Sequence, residues 1–413
     1  MKTKYLLPFL LSILCFSTTQ SQESGTLVEN TFIRTFTAPQ LAAHFKSMKI
    51  PKLFFPTTRD VNVYNVVYTS TYSDGSIVKA TGMVFAPVGE NISVPLEIYN
   101  QGTQLCKERV LNYRGEQAMC LSYATDGYLV IMPDYIGMAS GDRCHLYMHA
   151  KTEADATIDM LKVVSDSLHL FGVKSLGKIF VSGYSQGGHA ALATHKMLQE
   201  KYADRFQVTA SAPMSGPYDI SYAVYDGRNK FYTQPGYMPY LLKGYYESIG
   251  QPEKIAEVFQ QPYASVIPKL LTGDFPMDEL NRELPDTAFL SVRKEYFEDF
   301  ENNPEHPFRK YLSENNVHDW KPEAPVMLCY CKGDEQVNYQ NSIRTYEAMK
   351  RNGAAKVELW DAGKKFGHIN CALFSMVYTK MYFDGYVRNK PGSHGPHFKR
   401  MLLNIGKAGV KAF

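Results

Sequence analysis

Residues 183–188 read Gly183-Tyr184-Ser185-Gln186-Gly187-Gly188, and they follow a short apolar run, Ile179–Val181. The next stretch, His189–Tyr202, has the composition and apolar spacing of a helix. A glycine-x-serine-x-glycine sequence between a strand and a helix is typical of a serine nucleophile on a strained turn. Glycines flank the serine in such a turn because a side chain there would collide with the neighbouring strand or helix. We therefore predict that Ser185 is a nucleophile, with an ordinary glycine-rich turn as the alternative.

Strands and helices alternate on both sides of this turn. The alternating runs Val61–Tyr72 and Ile77–Pro87, separated by polar turn residues, predict a hairpin. The alternation indicates an α/β fold with a mostly parallel sheet covered by helices on both faces. Further strands are predicted at Leu96–Tyr99, Tyr128–Met132, Gln207–Ala212, Ala324–Tyr330 and Lys356–Trp360, and helices at Glu116–Ala124, Ala154–Phe171, Tyr339–Arg351 and Ile369–Val387.

The alternation fails between Pro217 and Pro322, where the chain is rich in tyrosine and proline. We interpret this stretch as a helical insertion above the carboxyl ends of the strands. Residues 22–60 are expected to form a leader arm that crosses the surface. The expected division is a signal peptide (1–21), the first part of the core (22–216), a cap insertion (217–320) and the second part of the core (321–413).

A serine nucleophile needs a base, and the base needs a carboxylate to orient it. In this kind of fold the order along the chain is serine, acid, histidine. Asp334 follows a predicted strand, and His368 stands between the last strand and the last helix. We predict that these two residues complete the catalytic set, with Glu335 and Asp361 as the rival acids. His189, one helical turn after the nucleophile, is expected to be a packed helix residue.

Two backbone N–H groups should stabilise the negatively charged oxygen of the reaction intermediate. The first is that of Gln186, directly after the nucleophile. The second should come from the loop after the strand Leu96–Tyr99, from Gly102 or Thr103.

The N-terminus has the features of an export signal. Lys2 and Lys4 precede an apolar run, Tyr5–Phe16, which is too short to span a membrane comfortably. We expect cleavage before Gln22 and a secreted or periplasmic protein; a lipid anchor on Cys15 is the alternative. No later run reaches the length of a membrane helix, so stable membrane insertion is not expected.

The composition excludes some classes of partner and leaves the thiol chemistry open. A formal net charge of +3 with 21% charged residues gives no indication of nucleic-acid binding. Six cysteines remain after Cys15, and they permit about 15 disulfide pairings. Free buried thiols are an equal alternative.

His145 and His149 have a spacing that could hold a metal on a helix, but packing or pocket lining is favoured, and no metal or cofactor is predicted.

With Ser185, Asp334 and His368 placed, the chain resembles the α/β-hydrolases. More narrowly, it resembles the secretory lipase family, whose members carry the Gly-Tyr-Ser-Gln-Gly-Gly turn. The likeness extends over residues 60–390 and includes Pro133–Gly137, His145–Tyr147 and Ser215–Asp219. The chain departs from many relatives at three positions, with Gln101 for histidine, Cys331 for glycine and Asn338 for proline.

This resemblance implies an α/β-hydrolase fold with a helical cap. It also implies a secreted serine esterase or lipase that acts on a small-molecule ester or lipid and needs no cofactor. A serine exopeptidase, for which Glu247, Glu253 or Glu257 could anchor an amine, and a carbohydrate-ester esterase stay open as alternatives. A non-catalytic binding protein on the same scaffold is a further one. The sequence does not indicate an oligomeric state.

Overall fold

The computed structural model of the protein describes residues 23–389 except 51 and 53, so the predicted signal peptide lies outside the described residues. One sheet of nine strands runs through this part of the chain. The strands are β1 (Leu27–Phe36), β2 (Val61–Thr71), β3 (Ile77–Pro87), β4 (Ile92–Asn100), β5 (Leu129–Pro133), β6 (Val173–Tyr184), β7 (Val208–Met214), β8 (Val326–Tyr330) and β9 (Val357–Asp361).

The spatial order of the strands is β1-β2-β3-β5-β4-β6-β7-β8-β9. The pairs from β1 to β5 are antiparallel, and the pairs from β5 to β9 are parallel. The predicted hairpin is the β2–β3 pair, with Val61 opposite Pro87 and Thr71 opposite Ile77. The prediction of a mostly parallel sheet is therefore confirmed. The carboxyl ends of the parallel strands lie at one edge, where ligands bind in such sheets.

Helices cover both faces of the sheet. On one face α1, α2 and α13 pack into an apolar core, and on the other face α3, α4 and α12 do so. Seven further α-helices lie between β7 and β8, within the described residues, where the sequence predicts a helical insertion. The helices are α1 (Ala38–Ser47), α2 (Gly115–Thr125), α3 (Ala150–Asp166), α4 (Gln186–Lys201), α5 (Ile220–Gly227), α6 (Tyr237–Ser248), α7 (Ile255–Val258), α8 (Tyr263–Leu270), α9 (Met277–Arg282), α10 (Lys294–Asn302), α11 (Pro307–Glu314), α12 (Gln340–Arg351) and α13 (His368–Val387).

Residues 220–314, the helical insertion, have an apolar core of their own that also takes in Leu105, Tyr147 and Met148. The two ends of the insertion lie side by side where they join the rest of the fold, in a region that we call the stem. There the Val317 N–H donates to the Tyr218 carbonyl over 2.8 Å. The Ser221 N–H donates to the Asn316 side chain over 3.1 Å.

The leader arm expected over residues 22–60 contains a strand and a helix. β1 lies at the edge of the sheet, antiparallel to β2, and α1 follows it directly. The helix begins with a capping box in which Thr37 and Gln40 bond to each other's backbone N–H groups. Leu41 and Phe45 then bury the inner side of α1 in the core. No helix of the described residues is both long and apolar enough to cross a membrane.

Candidate active site

Ser185 occupies the sharp turn between β6 and α4. Its φ of 59° and ψ of −121° lie outside the conformations that L-residues ordinarily adopt. A Cβ on Gly183 would lie 2.2 Å from the Gly187 carbonyl oxygen, and one on Gly187 would lie 2.0 Å from that of Asn100. The flanking glycines are therefore needed for the close approach of three backbone segments, and the turn has the geometry predicted for a nucleophile.

Asp334 and His368 come together beside this turn. The His368 Nδ1 lies 2.9 Å and 2.8 Å from the two carboxylate oxygens of Asp334. One of these oxygens also accepts the backbone N–H groups of Gln336 and Val337, at 3.0 and 2.9 Å. These donors fix the carboxylate, and the carboxylate in turn fixes the Nδ1–H tautomer of the imidazole. The Nε2 atom is thus left as the basic nitrogen.

The backbone N–H and carbonyl of His368 also have hydrogen-bond partners. Its N–H donates to the Glu335 carboxylate over 2.9 Å, and its carbonyl accepts the Tyr184 hydroxyl over 2.6 Å. Glu335, a rival for the acid, therefore contacts the histidine backbone and not the imidazole. Asp361, the other rival, accepts the Gly363 N–H and pairs with Lys332. The structure brings Asp334 alone among the three carboxylates to the ring.

The predicted donors for the charged oxygen have different surroundings. Among the described residues, no acceptor faces the backbone N–H of Gln186 or that of Thr103. The Gly102 N–H, by contrast, donates to both oxygens of Glu116 at 3.0 and 3.1 Å. Of the two alternatives, Gly102 is the less suitable donor, since its N–H already has a carboxylate as its acceptor. Gln186 and Thr103 are the two open donors.

A buried polar network lies beneath the turn. The Gln186 side chain donates to Glu153 over 2.7 Å and to the His145 Nε2 over 2.8 Å. His189 bonds to Glu153 over 2.7 Å and to the carbonyl of Asn315 over 2.8 Å, as a packed helix residue. Burial lowers the pKa of His145 to about 4, so its ring is neutral and can accept from Gln186. The network ties the start of α4 to α3 and to the end of the helical insertion.

The spacing of His145 and His149 does not reflect a shared helix face. His145 lies before α3, whereas His149 is the residue that caps its N-terminus. The two rings bond to different partners, Gln186 and Thr152. Within residues 23–389, no group of three or more His, Cys, Asp or Glu side chains is arranged to hold a metal ion.

A disulfide joins Cys331 to Cys371, with the Cα atoms 5.9 Å apart. Cys331 follows β8 and leads into the Asp334 loop, and Cys371 lies in the first turn of α13, close after His368. The bond therefore connects the loop of the acid to the helix of the base. The sequence left this pairing open among many.

Two cavities meet at Ser185. One, of about 400 Å³, also includes Glu116 and His368 and has apolar walls from the N-terminal segment and α13. The other, of about 410 Å³, extends beneath the helical insertion and includes Asp334. The walls of the first include Met48, Ile50, Phe55, Met119, Ala372, Leu373 and Met376, and those of the second include Met148, Ile220, Val224, Phe231, Tyr232, Met238, Leu241 and Phe289.

Sequence reasoning missed the roles of several residues of this site. Glu116, Tyr184 and Glu335 support backbone groups next to the nucleophile and the base. Such contacts leave no motif, because any acceptor or hydroxyl that the fold brings near would serve. The disulfide did have a signal, since Cys331 and Cys371 are each three positions from a predicted catalytic residue.

Comparison with known proteins agrees with this geometry. The sequence model of the secretory lipase family matches residues 110–395. Among solved structures, the chain is similar to the rice cell wall degrading esterase LipA from Xanthomonas oryzae, with 26% identity, a TM-score of 0.78 and coverage of 89% of this chain and 100% of that one. No sequence among the curated proteins matches the chain.

Two structures with lower sequence identity share the fold. A putative hydrolase from Legionella pneumophila is 24% identical, with a TM-score of 0.81 and coverage of 88% of this chain and 98% of that one. Candida antarctica lipase A is 14% identical, with a TM-score of 0.69 and coverage of 91% and 85%. The fold is that of the α/β-hydrolases. Within them, the chain belongs to the secretory lipase family, and its class is that of the ester hydrolases.

Proposed function

We propose that the protein is an exported serine hydrolase that cleaves carboxylic esters through an acyl-enzyme on Ser185. The observation that carries this proposal is the pairing of Asp334 with the His368 Nδ1 at 2.8 Å, beside a serine on a strained turn. Membership of a lipase family supports the ester as the bond that is cleaved. Lys2 and Lys4, followed by the apolar run at the N-terminus, support export.

In the first half of the reaction, the His368 Nε2 takes the proton of the Ser185 hydroxyl as its oxygen attacks the acyl carbon. The N–H groups of Gln186 and Thr103 donate to the oxygen of the tetrahedral intermediate. His368 then gives its proton to the departing alcohol. Asp334 keeps the imidazole in the required tautomer and stabilises its charged form throughout.

In the second half, water attacks the acyl-enzyme, and His368 again takes and returns one proton. The carboxylic acid leaves, and the Ser185 hydroxyl is restored. Every step uses side-chain or backbone groups of this chain. Loss of one of the two N–H donors would raise the barrier by about 3 kcal/mol.

The two cavities support a substrate with apolar parts on both sides of the ester. Each has a volume in the range of about 300–1,000 Å³ that is usual for ligand sites. His368 lines the cavity of about 400 Å³, so the departing alcohol belongs on that side. The acyl part then belongs in the cavity of about 410 Å³ beneath the helical insertion.

The aromatic residues of the insertion fall into two groups, those that line a cavity at Ser185 and those that form the insertion's own core. Phe231, Tyr232 and Tyr237 line the cavity beneath the insertion, where they would contact the acyl part. Tyr240, Tyr245 and Tyr246 are instead buried in the insertion's own core, which they help to stabilise.

A second candidate is a carbohydrate-ester esterase on the same machinery. Its support is the similarity to LipA of Xanthomonas oryzae, described as a rice cell wall degrading esterase. The exopeptidase alternative has less support. Glu247 pairs with Lys243, and none of Glu247, Glu253 and Glu257 lines either cavity at the serine.

The test is hydrolysis of p-nitrophenyl esters from acetate to palmitate, together with acetylated xylan and methyl ferulate. We expect turnover by the wild type and a loss of about 10⁴-fold or more in kcat for Ser185→Ala. Ser140→Ala, at an exposed serine, is the matched control. A folded wild type that cleaves no ester and is not labelled by a fluorophosphonate would refute the proposal and leave the binding-protein alternative.

A further inference from the structure

Glu116 lies in the first turn of α2, and its carboxylate reaches the loop that follows β4. Its two oxygens accept the Gly102 N–H at 3.0 and 3.1 Å. One of them also accepts the Tyr99 hydroxyl at 3.0 Å. The same side chain lines the cavity that contains Ser185 and His368. No step of the proposed mechanism uses this carboxylate, although it stands at the site.

The neighbouring residues of the loop are each held by a tyrosine. The Tyr135 hydroxyl donates to the carbonyl of Gln101 over 2.8 Å, and the Tyr240 hydroxyl donates to that of Gln104 over 2.9 Å. Between them, the Thr103 hydroxyl bonds to that of Tyr147 over 3.0 Å.

Within this loop the Gly102 N–H is the group that adjoins the open donor on Thr103. Fixing the Gly102 N–H limits rotation of the chain just before the Thr103 amide. Because Gly102 has no side chain, its own conformational freedom would otherwise be large. The Glu116 carboxylate also keeps the Gly102 N–H from competing for the charged oxygen.

We propose that Glu116 is a positioning residue that fixes the loop at Gly102 and thereby directs the Thr103 N–H towards the oxygen of the tetrahedral intermediate. This inference rests on the proposed function. It assigns Glu116 no contact with the substrate. Its role requires an acceptor atom at the right place, whereas a negative charge is not required.

Two variants separate acceptor position from charge. Glu116→Gln removes the charge and keeps an acceptor oxygen at the same reach. Glu116→Asp keeps the charge and withdraws the carboxylate by one methylene. An error of about 1 Å in the placement of a catalytic group costs on the order of 10²-fold in rate. Glu108→Ala is the control, because Glu108 is an exposed carboxylate in the same segment.

The experiment measures kcat and KM on the best p-nitrophenyl ester, together with the melting temperature of each variant. We expect Glu116→Gln to keep kcat within about threefold of the wild type. We expect Glu116→Asp to lose about 10- to 100-fold in kcat, with KM changed less than about twofold. Glu108→Ala should match the wild type in both constants.

Opposite results would overturn the inference. If Glu116→Asp keeps full kcat, or if Glu116→Gln loses as much as Glu116→Asp, the role assigned to the acceptor position is wrong. Should either variant fail to fold, Tyr99→Phe provides a second test, since it removes one bond to the carboxylate; unchanged kcat there would also count against the inference. An inactive wild type would instead refute the proposed function, so the two failures are distinguishable.

Discussion

Cys331 and Cys371 form a disulfide whose two half-cystines are each three residues from a member of the proposed triad. The bond joins the Asp334 loop to the first turn of α13, which carries His368. The Asp334–His368 hydrogen bond thus spans two segments that are also joined covalently.

Removal of this disulfide should lower both stability and activity. A crosslink that closes a loop of 40 residues restricts the unfolded chain and stabilises the fold by about 2–4 kcal/mol. We expect the Cys331→Ala/Cys371→Ala double variant to lose this amount in urea unfolding, and to show a lower kcat because the acid and base are less well aligned. Cys106→Ser is the control, and equal stability of the double variant and the wild type would contradict the prediction.

Asp334→Asn should leave the fold intact and lower kcat by about 10⁴-fold, because the amide favours the wrong imidazole tautomer. The matched variant is Asp361→Asn, at the rival carboxylate at the end of β9, which should keep the wild-type rate. Steady-state kinetics with one chromogenic ester would measure both. A large loss in Asp361→Asn with little change in Asp334→Asn would reverse the assignment of the acid.

Gly187→Ala should disrupt the turn at the nucleophile. The added Cβ would lie 2.0 Å from the Asn100 carbonyl oxygen, a backbone atom that cannot move without shifting β4. We expect a loss of more than about 3 kcal/mol in stability, or no soluble protein. Gly227→Ala is the control for thermal stability, because a Cβ there meets no atom within 4 Å. A Gly187→Ala protein with a wild-type melting temperature would show that the turn tolerates a side chain.

Stability should depend on pH through Glu116. Burial raises the pKa of this carboxyl from 4.5 to about 7, while Tyr99, Gly102 and His368 oppose the shift. The folded state therefore holds the proton more tightly than the unfolded state. The protonated carboxyl of Glu116 therefore contributes to the free energy of unfolding. This contribution is fully present below pH 4.5 and is lost as the pH rises to about 7.

The measurement is the free energy of unfolding at pH 5 and pH 8 for the wild type and Glu116→Gln. Between pH 5 and pH 8, we expect the wild type to lose about 1–2 kcal/mol more of its free energy of unfolding than the variant does. This is less than the full value of the pKa shift, since the side chain is partly open to the cavity. An identical pH dependence would show that the pKa of Glu116 is the same in the folded and unfolded states.

The sequence was sufficient for the parts of the site that rest on local constraints. The strain at Ser185 requires glycines at fixed positions, and the position of Asp334 after a strand follows from the fold order. It was insufficient where contacts join distant segments. Glu116 meets Gly102 because the fold brings α2, which packs on β3 and β5, to the loop after β4. Likewise, residues 27–36 form β1 by pairing with β2, a distant segment that their own pattern did not reveal.

The stem at Tyr218 and Val317 has a consequence for how this family of proteins can diverge. Since the two ends of the helical insertion are held together at 2.8 Å, the residues between them form a closed loop on a fixed base. The cost of closing such a loop rises only slowly with its length. Helices between these points can therefore be lengthened, lost or exchanged between relatives. The sheet and the loops that form the candidate site would keep their positions. The proposed cap is therefore free to change faster in sequence than the proposed catalytic core.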